Sequence, residues 1–244
     1  MGERNKMIYT IIAYLLLINK SYAANTMIDN FEEGFSKTTE TLVAPINWSS
    51  GNKKEGKIDY YLKQENGNTF IRGESLLGTS GKVIYTNKKV KISETPFLSW
   101  KWRAVKFPNL QSIDGLEEPD NVATVYVLFK KGWTNYLIKY DWSQFNCKNK
   151  DSGEPFFFKS RSSAAFWAIY IKPLRCTNSS IKNCSDPVNQ WVNEKINIIE
   201  DFKLIFKKDW QPDYIEGIGV LVDGDQSNTS GVSADFDDFI LSSE

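Results

Sequence analysis

The sequence predicts an all-β fold, an antiparallel two-sheet sandwich of jelly-roll type with one short packing helix. Three observations predict it. Runs of alternating apolar and polar residues recur along the chain, with Asn, Gly, Lys and Pro turn signals between them. Aromatic residues, 15 Phe, 11 Tyr and 8 Trp, supply the large side chains that pack well on a pleated surface. Helical spacing is confined to one good stretch, Ile196 to Phe206, in which Ile198, Ile199, Phe202, Ile205 and Phe206 recur at intervals of three and four. At 244 residues and 41% hydrophobic content the chain can bury one substantial core, and no linker composition divides it.

Taken in order, Arg4 and Lys6 precede an apolar run from Met7 to Ile18, and Ser21, Tyr22 and Ala23 follow in a small-x-small pattern. This is the layout of a secretory signal peptide over 1–23, cleaved near Ala23 or Ala24, with a single β-sandwich domain over 24–244. The apolar run is shorter than the ~20 residues a membrane span needs, which argues against an uncleaved anchor. The mature protein is expected in the periplasm or the medium, without membrane insertion. Export permits disulfides, and Cys176 and Cys184 bracket a polar loop they can close as a staple; Cys147 is then left over, or pairs with either one.

Charge excludes some classes. Lys and Arg number 30 and Asp and Glu 30, so no global field draws the chain to nucleic acid or to an anionic membrane. The chain has no histidine, so neither a Ser-His-Asp nor a Cys-His apparatus can be built within it. Three scattered cysteines suit zinc poorly.

A first strand runs from Thr26 toward Gly34, and an irregular crossing follows around Pro45 and Trp48. Ile58–Gln64 and Thr69–Glu74 read as a hairpin about Asn66-Gly67, a pair that accepts positive φ at low cost. A short strand is expected at Lys82–Tyr85. After Pro96 the run FLSWKWRAV puts Leu98, Trp100 and Trp102 on one face and Ser99, Lys101 and Arg103 on the other. Lys106–Asn121 reads as a long acidic surface loop. Val122–Phe129, a Lys130-Lys131-Gly132 turn and Asn135–Trp142 form a second hairpin, in which Tyr136, Ile138, Tyr140 and Trp142 share a face. Phe166–Lys172, apolar on both sides, reads as a central strand. Ile218–Val222 then carries Asp223 and Asp225 to a strand rim, and Phe236, Phe239 and Ile240 return the chain to the core. In all, roughly nine to eleven strands and one helix are expected.

The ordered set NFEEG, LSWKWR, VYVLF, IKYDW, Trp191 before IIEDF, GVLVDGDQSNT and ADFDDF, spanning about Asp29 to Leu241, resembles an exported bacterial family catalogued as domain of unknown function 3047. The resemblance implies a sandwich like the jelly rolls of carbohydrate-binding modules and galactose-binding-like domains, without a settled activity. Its Trp-x-Trp-Arg element falls on Trp100, Trp102 and Arg103, and its Asp-x-Asp element on Asp223 and Asp225. Family members usually read Thr-Asp-Thr-Asp-Asn-Thr there, whereas this chain reads Val222-Asp223-Gly224-Asp225-Gln226-Ser227-Asn228, which takes Asn228 out of register.

The leading expectation is non-catalytic recognition of a glycan or similar polar ligand on one sheet face. Sugars present apolar C–H faces and dense hydroxyls, so a site needs an exposed aromatic with charged or amide neighbours. Lys101, Arg103, Tyr126, Asn135, Tyr140 and Asp223, with Trp133, supply those types. A second reading is a structural calcium: Asp223 to Asn228 is rich in hard oxygen ligands, and jelly rolls can hold calcium between first and last strands, where Glu32, Glu33 and Asp238 join Asp225. A third is glycan hydrolysis by paired carboxylates, Asp223 with Glu33 or Asp141. A fourth is an envelope module that docks another protein.

Overall fold

In the computed structural model the described residues are 25–33, 47–50, 58–75, 84–86, 88–108, 121–144, 158–159, 166–177, 185–224 and 231–244. The expected leader, Asp225, Cys147, Cys184 and most of the acidic loop lie outside them. Two sheets face each other. The first contains β1 (Asn25–Asp29), β3 (Ile58–Glu65), β4 (Asn68–Ser75), β7 (Phe97–Lys106), β12 (Val192–Asn197) and β15 (Val232–Ser242), in the order β12-β7-β15-β4-β3 with β1 also on β15. The second runs β10-β11-β9-β8-β14-β5-β2, from β10 (Phe158–Lys159), β11 (Trp167–Cys176), β9 (Thr134–Ser143), β8 (Ala123–Lys131), β14 (Gly217–Leu221), β5 (Ile84–Thr86) and β2 (Ser49–Ser50). A small ribbon joins β6 (Val90–Lys91) to β13 (Tyr214–Ile215). One pairing departs from the antiparallel expectation. β11 runs parallel to β9, because the chain leaves β9 at one end of the sheet and re-enters from the other.

The alternation in β7 decides how the layers meet. Leu98, Trp100, Trp102 and Ala104 are buried, while Ser99, Lys101 and Arg103 point away. From the second sheet, Tyr140 approaches Trp100 with ring centroids 5.8 Å apart and Trp142 approaches Trp102 at 5.5 Å, so these four rings join the sheets. Tyr140, expected to meet ligand, is therefore a core residue with no exposed surface, its hydroxyl donating to Asp201 Oδ2 at 3.1 Å. The correction has a simple cause. Tyr136, Ile138, Tyr140 and Trp142 share a wholly aromatic or apolar face, against Asn135, Leu137, Lys139 and Asp141 on the other, and it turned inward as a set.

In β15 a bulge between Asp237 and Ile240 lets Phe236 and Phe239, three apart, both point inward; Asp238 absorbs the extra residue at φ 50°. The bulge also turns Ile240 outward and leaves Leu241 as the buried partner. The β3–β4 hairpin is as expected, with positive φ at Asn66 (54°) and Gly67 (85°).

The helix, α1 (Ile198–Phe206), starts two residues later than its periodicity suggests. Asn197 ends β12 and caps the helix, its Oδ1 accepting from the N–H groups of Ile199 (3.2 Å) and Glu200 (3.1 Å). The helix closes one end of the sandwich: Phe202 lies 5.1 Å from Phe129 and 5.6 Å from Tyr136. Asp201, in its first turn, accepts both a Lys172 ammonium and the Tyr140 hydroxyl, tying helix to sheet. Cys176 is disulfide-bonded, with its partner outside the described residues. A Thr177–Ser185 bridge and the Cys176 N–H to Asp186 Oδ2 bond (2.7 Å) hold the base of the loop it bounds.

Candidate functional site

The outward face of the first sheet carries a charge ladder set by strand register. Asp235 on β15 stands opposite Arg103 on β7 and Arg72 on β4. Arg72 grips it through two bonds, Nε to Oδ1 at 2.6 Å and Nη2 to Oδ2 at 2.9 Å. Arg103 adds Nε to Oδ2 at 2.7 Å, and its Nη2 approaches the same oxygen at 2.5 Å as an ion contact out of hydrogen-bond alignment. Arg103 Nη1 also reaches Glu65 Oε2 at 2.9 Å, and the guanidinium lies against the rings of both Phe70 (5.2 Å) and Trp191 (4.7 Å).

Above this ladder lies a groove of about 450 Å³. The β3–β4 turn forms one wall with Glu65, Asn66 and Asn68; β12 and the residue before it form the other with Asn193 and Trp191; Lys101, Arg103, Phe70 and Asp237 make the floor. The half-buried Trp191 packs edge-on against Phe70 at 5.2 Å, and three asparagines surround the opening. Lys101 pairs with Asp238, a hydrogen bond that raises its pKa above the usual lysine value.

The two groove carboxylates are driven apart. Arg103, and then Lys63, pull Glu65 down to about 2. Burial pushes Asp237 up to about 6, against the opposing Asn68 amide, which donates to its Oδ2 at 2.9 Å; the adjacent Asp238 charge adds to the rise. A raised folded-state value means that the native protein holds the proton more tightly than the unfolded chain. Asp237 therefore favours the fold below the ordinary value of 3.8, and this contribution, of order 2–3 kcal/mol, is lost as pH rises through about 6. Glu65 acts in a separate window, its stabilisation lost as pH falls from 4.5 through about 2. We expect Asp237→Asn to flatten the fall in melting temperature between about pH 4 and 6.5. Wild-type and variant melting curves that stay parallel across that range would contradict this.

Of the expected ligand residues, the structure brings Lys101 and Arg103 to this groove and distributes the others. Tyr126 lies on the outer face of the second sheet, 7% exposed against Leu137 and Leu221, with the Lys139 ammonium 5.7 Å from its ring. Asn135, the second residue of β9, is on that same face, beside Phe166 and Trp167. Asp223 follows β14 at the rim, its N–H donating to the Asn121 carbonyl at 3.1 Å. The composite site of Arg103, Tyr126 and Asp223 is therefore corrected: these residues sit on two opposite faces and a rim. Asp141 is wholly buried and accepts from Asn121 (3.0 Å) and Thr124 (2.8 Å), so it is no partner for Asp223 in hydrolysis.

Of the four residues expected to hold calcium, Asp225 lies outside the described residues. Glu32 Oε1 accepts the Thr69 N–H at 2.8 Å, Glu33 is exposed, and Asp238 is held by Lys101. Among the described residues no three carboxylates or cysteines are placed to hold a metal ion. Sequence reasoning missed Glu65, Asn66, Asn68, Trp191, Asn193 and Asp237. The Asn66-Gly67 turn was a signal for the first three, since it places side chains at a sheet corner; nothing local pointed to the rest.

The molecule is thus a β-sandwich with an aromatic and amide-lined groove on one outer face. The profile of the family described as Protein of unknown function (DUF3047) matches residues 47–240, and the chain belongs to that family. No curated protein matches it. Among solved structures it is similar to a family 11 carbohydrate-binding module from Clostridium thermocellum in complex with a beta-1,3-1,4-mixed-linked tetrasaccharide (14% identity, 90% of this chain and 96% of that one, TM-score 0.42). It is also similar to the xyloglucanase domain of NopAA from Sinorhizobium fredii in complex with cellobiose (9% identity, 83% and 97%, TM-score 0.47) and to Endoglucanase 3 of Trichoderma harzianum (7% identity, 91% and 98%, TM-score 0.45). Overlaps this loose carry no argument about function.

Proposed function

We propose that the chain is an exported glycan-recognition protein and that the groove over β7, β15 and β4 takes a neutral sugar chain. The observation that carries this is the Trp191 ring in an open groove with Asn66, Asn68 and Asn193 around it. An indole offers an apolar surface for sugar C–H groups, and amides donate to and accept from hydroxyls. Neutrality follows from the charges: Lys101 is paired with Asp238, and Arg103 with Asp235 and Glu65, so neither cation awaits a uronate or sulfate.

Binding is favoured over hydrolysis by what holds the groove carboxylates. Glu65 Oε1 and Oε2 are paired with Lys63 (3.0 Å) and Arg103 (2.9 Å). Asp237 Oδ1 accepts the Asp238 N–H (2.8 Å) and Oδ2 the Asn68 amide (2.9 Å), and the residue is only 1% exposed. An acid–base pair needs an oxygen within reach of the glycosidic bond.

In a pull-down panel of neutral and uronate polysaccharides, Trp191→Ala is expected to weaken retention on a neutral polymer roughly tenfold or more with the melting temperature little changed. Retention unaffected by Trp191→Ala, or no retention on any neutral polymer, would refute the assignment.

A further inference from the structure

At the far corner of the second sheet, away from the groove, the β8–β9 turn carries Trp133 at 88% exposure, on a backbone turned by Gly132 at φ 58°. Turns of this kind ordinarily take a polar residue, and a free-standing indole has no packing role there. Two more rings stand beside it. Phe166 is 61% exposed and Trp167 38%; the Phe166 carbonyl accepts the Asn135 N–H at 2.8 Å, and Trp167 is the register partner of Asn135, two residues from Trp133.

Lysines collect behind these rings. The Lys131 ammonium lies 4.9 Å from the ring centre of Trp210, the Lys208 ammonium 6.0 Å from that of Tyr136, and those two rings are 5.4 Å apart. The end of α1 is thereby docked behind the turn, which brings Lys207 and Lys208 to the corner that holds Lys130 and Lys131. Within 130–133 and 207–210, four lysines face one carboxylate, Asp209. All four are exposed, and none has a carboxylate partner among the described residues. A chain of zero formal charge thus presents a local cationic, aromatic tip.

We propose that this tip is a peripheral membrane-contact surface that seats its rings among the headgroups of an anionic bilayer. The chemistry fits in two parts. Indole and phenyl rings on a projecting turn suit the water–lipid interface, and lysines around them attract anionic headgroups. A sugar chain would instead call for amides or carboxylates flanking a flat aromatic platform, and here the flanking groups are ammonium cations.

The test uses the full chain with vesicles of phosphatidylcholine containing 30% phosphatidylglycerol, and with phosphatidylcholine alone, both made with brominated acyl chains that quench tryptophan on contact. The apolar segment 7–18 is common to every variant, so differences between variants read the tip. Expected is quenching in the anionic vesicles that weakens with salt, loses its main component in Trp133→Ala, and needs about tenfold more lipid in Lys131→Gln/Lys208→Gln. Equal quenching of wild type and Trp133→Ala would overturn the proposal, as would equal quenching in both lipid mixtures. Retention on an insoluble polysaccharide that Trp133→Ala abolishes, with no vesicle difference, would make the tip a glycan surface instead.

Discussion

Asp235→Ala is expected to destabilise the protein by about 3–5 kcal/mol, the cost of breaking a buried ion pair by removing one partner. Asp235 has no exposed surface and holds two guanidiniums, Arg72 and Arg103, across three adjacent strands. Deleting the carboxylate leaves two cations side by side beneath a sheet face, Arg103 still paired with Glu65 and Arg72 left to the neutral Tyr61 hydroxyl. For a domain of this size the loss corresponds to a fall of roughly 6–20 °C in melting temperature. Replacing all three charged groups by apolar residues of similar volume should recover much of it, because the ladder's desolvation cost disappears with its charges. Thermal and urea unfolding measure both. A loss under about 1 kcal/mol in Asp235→Ala would show that the ladder does not hold these strands in register.

Trp102→Ala is expected to cost about 3–5 kcal/mol for a different reason, the cavity it leaves. Its side chain is fully buried, meets Trp100 edge-on at 5.4 Å and Trp142 at 5.5 Å, and donates from Nε1 to Glu194 Oε1 at 3.1 Å. Trp100 provides the contrast. It is as deeply buried, but its Nε1 has no partner. Trp100→Phe deletes an orphan donor whose burial costs ~1–3 kcal/mol, offsetting the smaller ring, and should fall within about 1 kcal/mol of wild type. Trp102→Phe loses a made hydrogen bond as well as volume and should cost about 2 kcal/mol. Urea denaturation of the two phenylalanine variants decides it; equal losses would mean that the indole N–H groups contribute nothing to the difference.

Much of the fold was legible because its signals are local. The two faces of β7 follow from strict alternation, the β3–β4 turn from Asn66-Gly67, and α1 from its three-and-four spacing, with Asn197 explaining the later start. The site was half legible. Lys101 and Arg103 were placed on an outward wall, and they form the groove floor. Tyr140 was legible as core: it shares the strand face of Tyr136, Ile138 and Trp142, and its phenol alone suggested a ligand contact. Tyr126 and Arg103 were joined because alternation does not say to which sheet a strand belongs.

By itself the sequence determined which side chains share a face, where the chain turns, and that a mostly β body with one short helix would result. Each of those depends on residues within a few positions of one another. Only the tertiary structure decided that β7, β15 and β4 lie side by side, that Arg103 and Arg72 share Asp235, and that Trp191, Asn68 and Asn193 line one groove. It also decided that a chain of balanced charge gathers four lysines and three exposed rings at one corner. Those outcomes rest on strand pairings between segments far apart in the chain. They are settled by mutual burial and register, which periodicity does not encode.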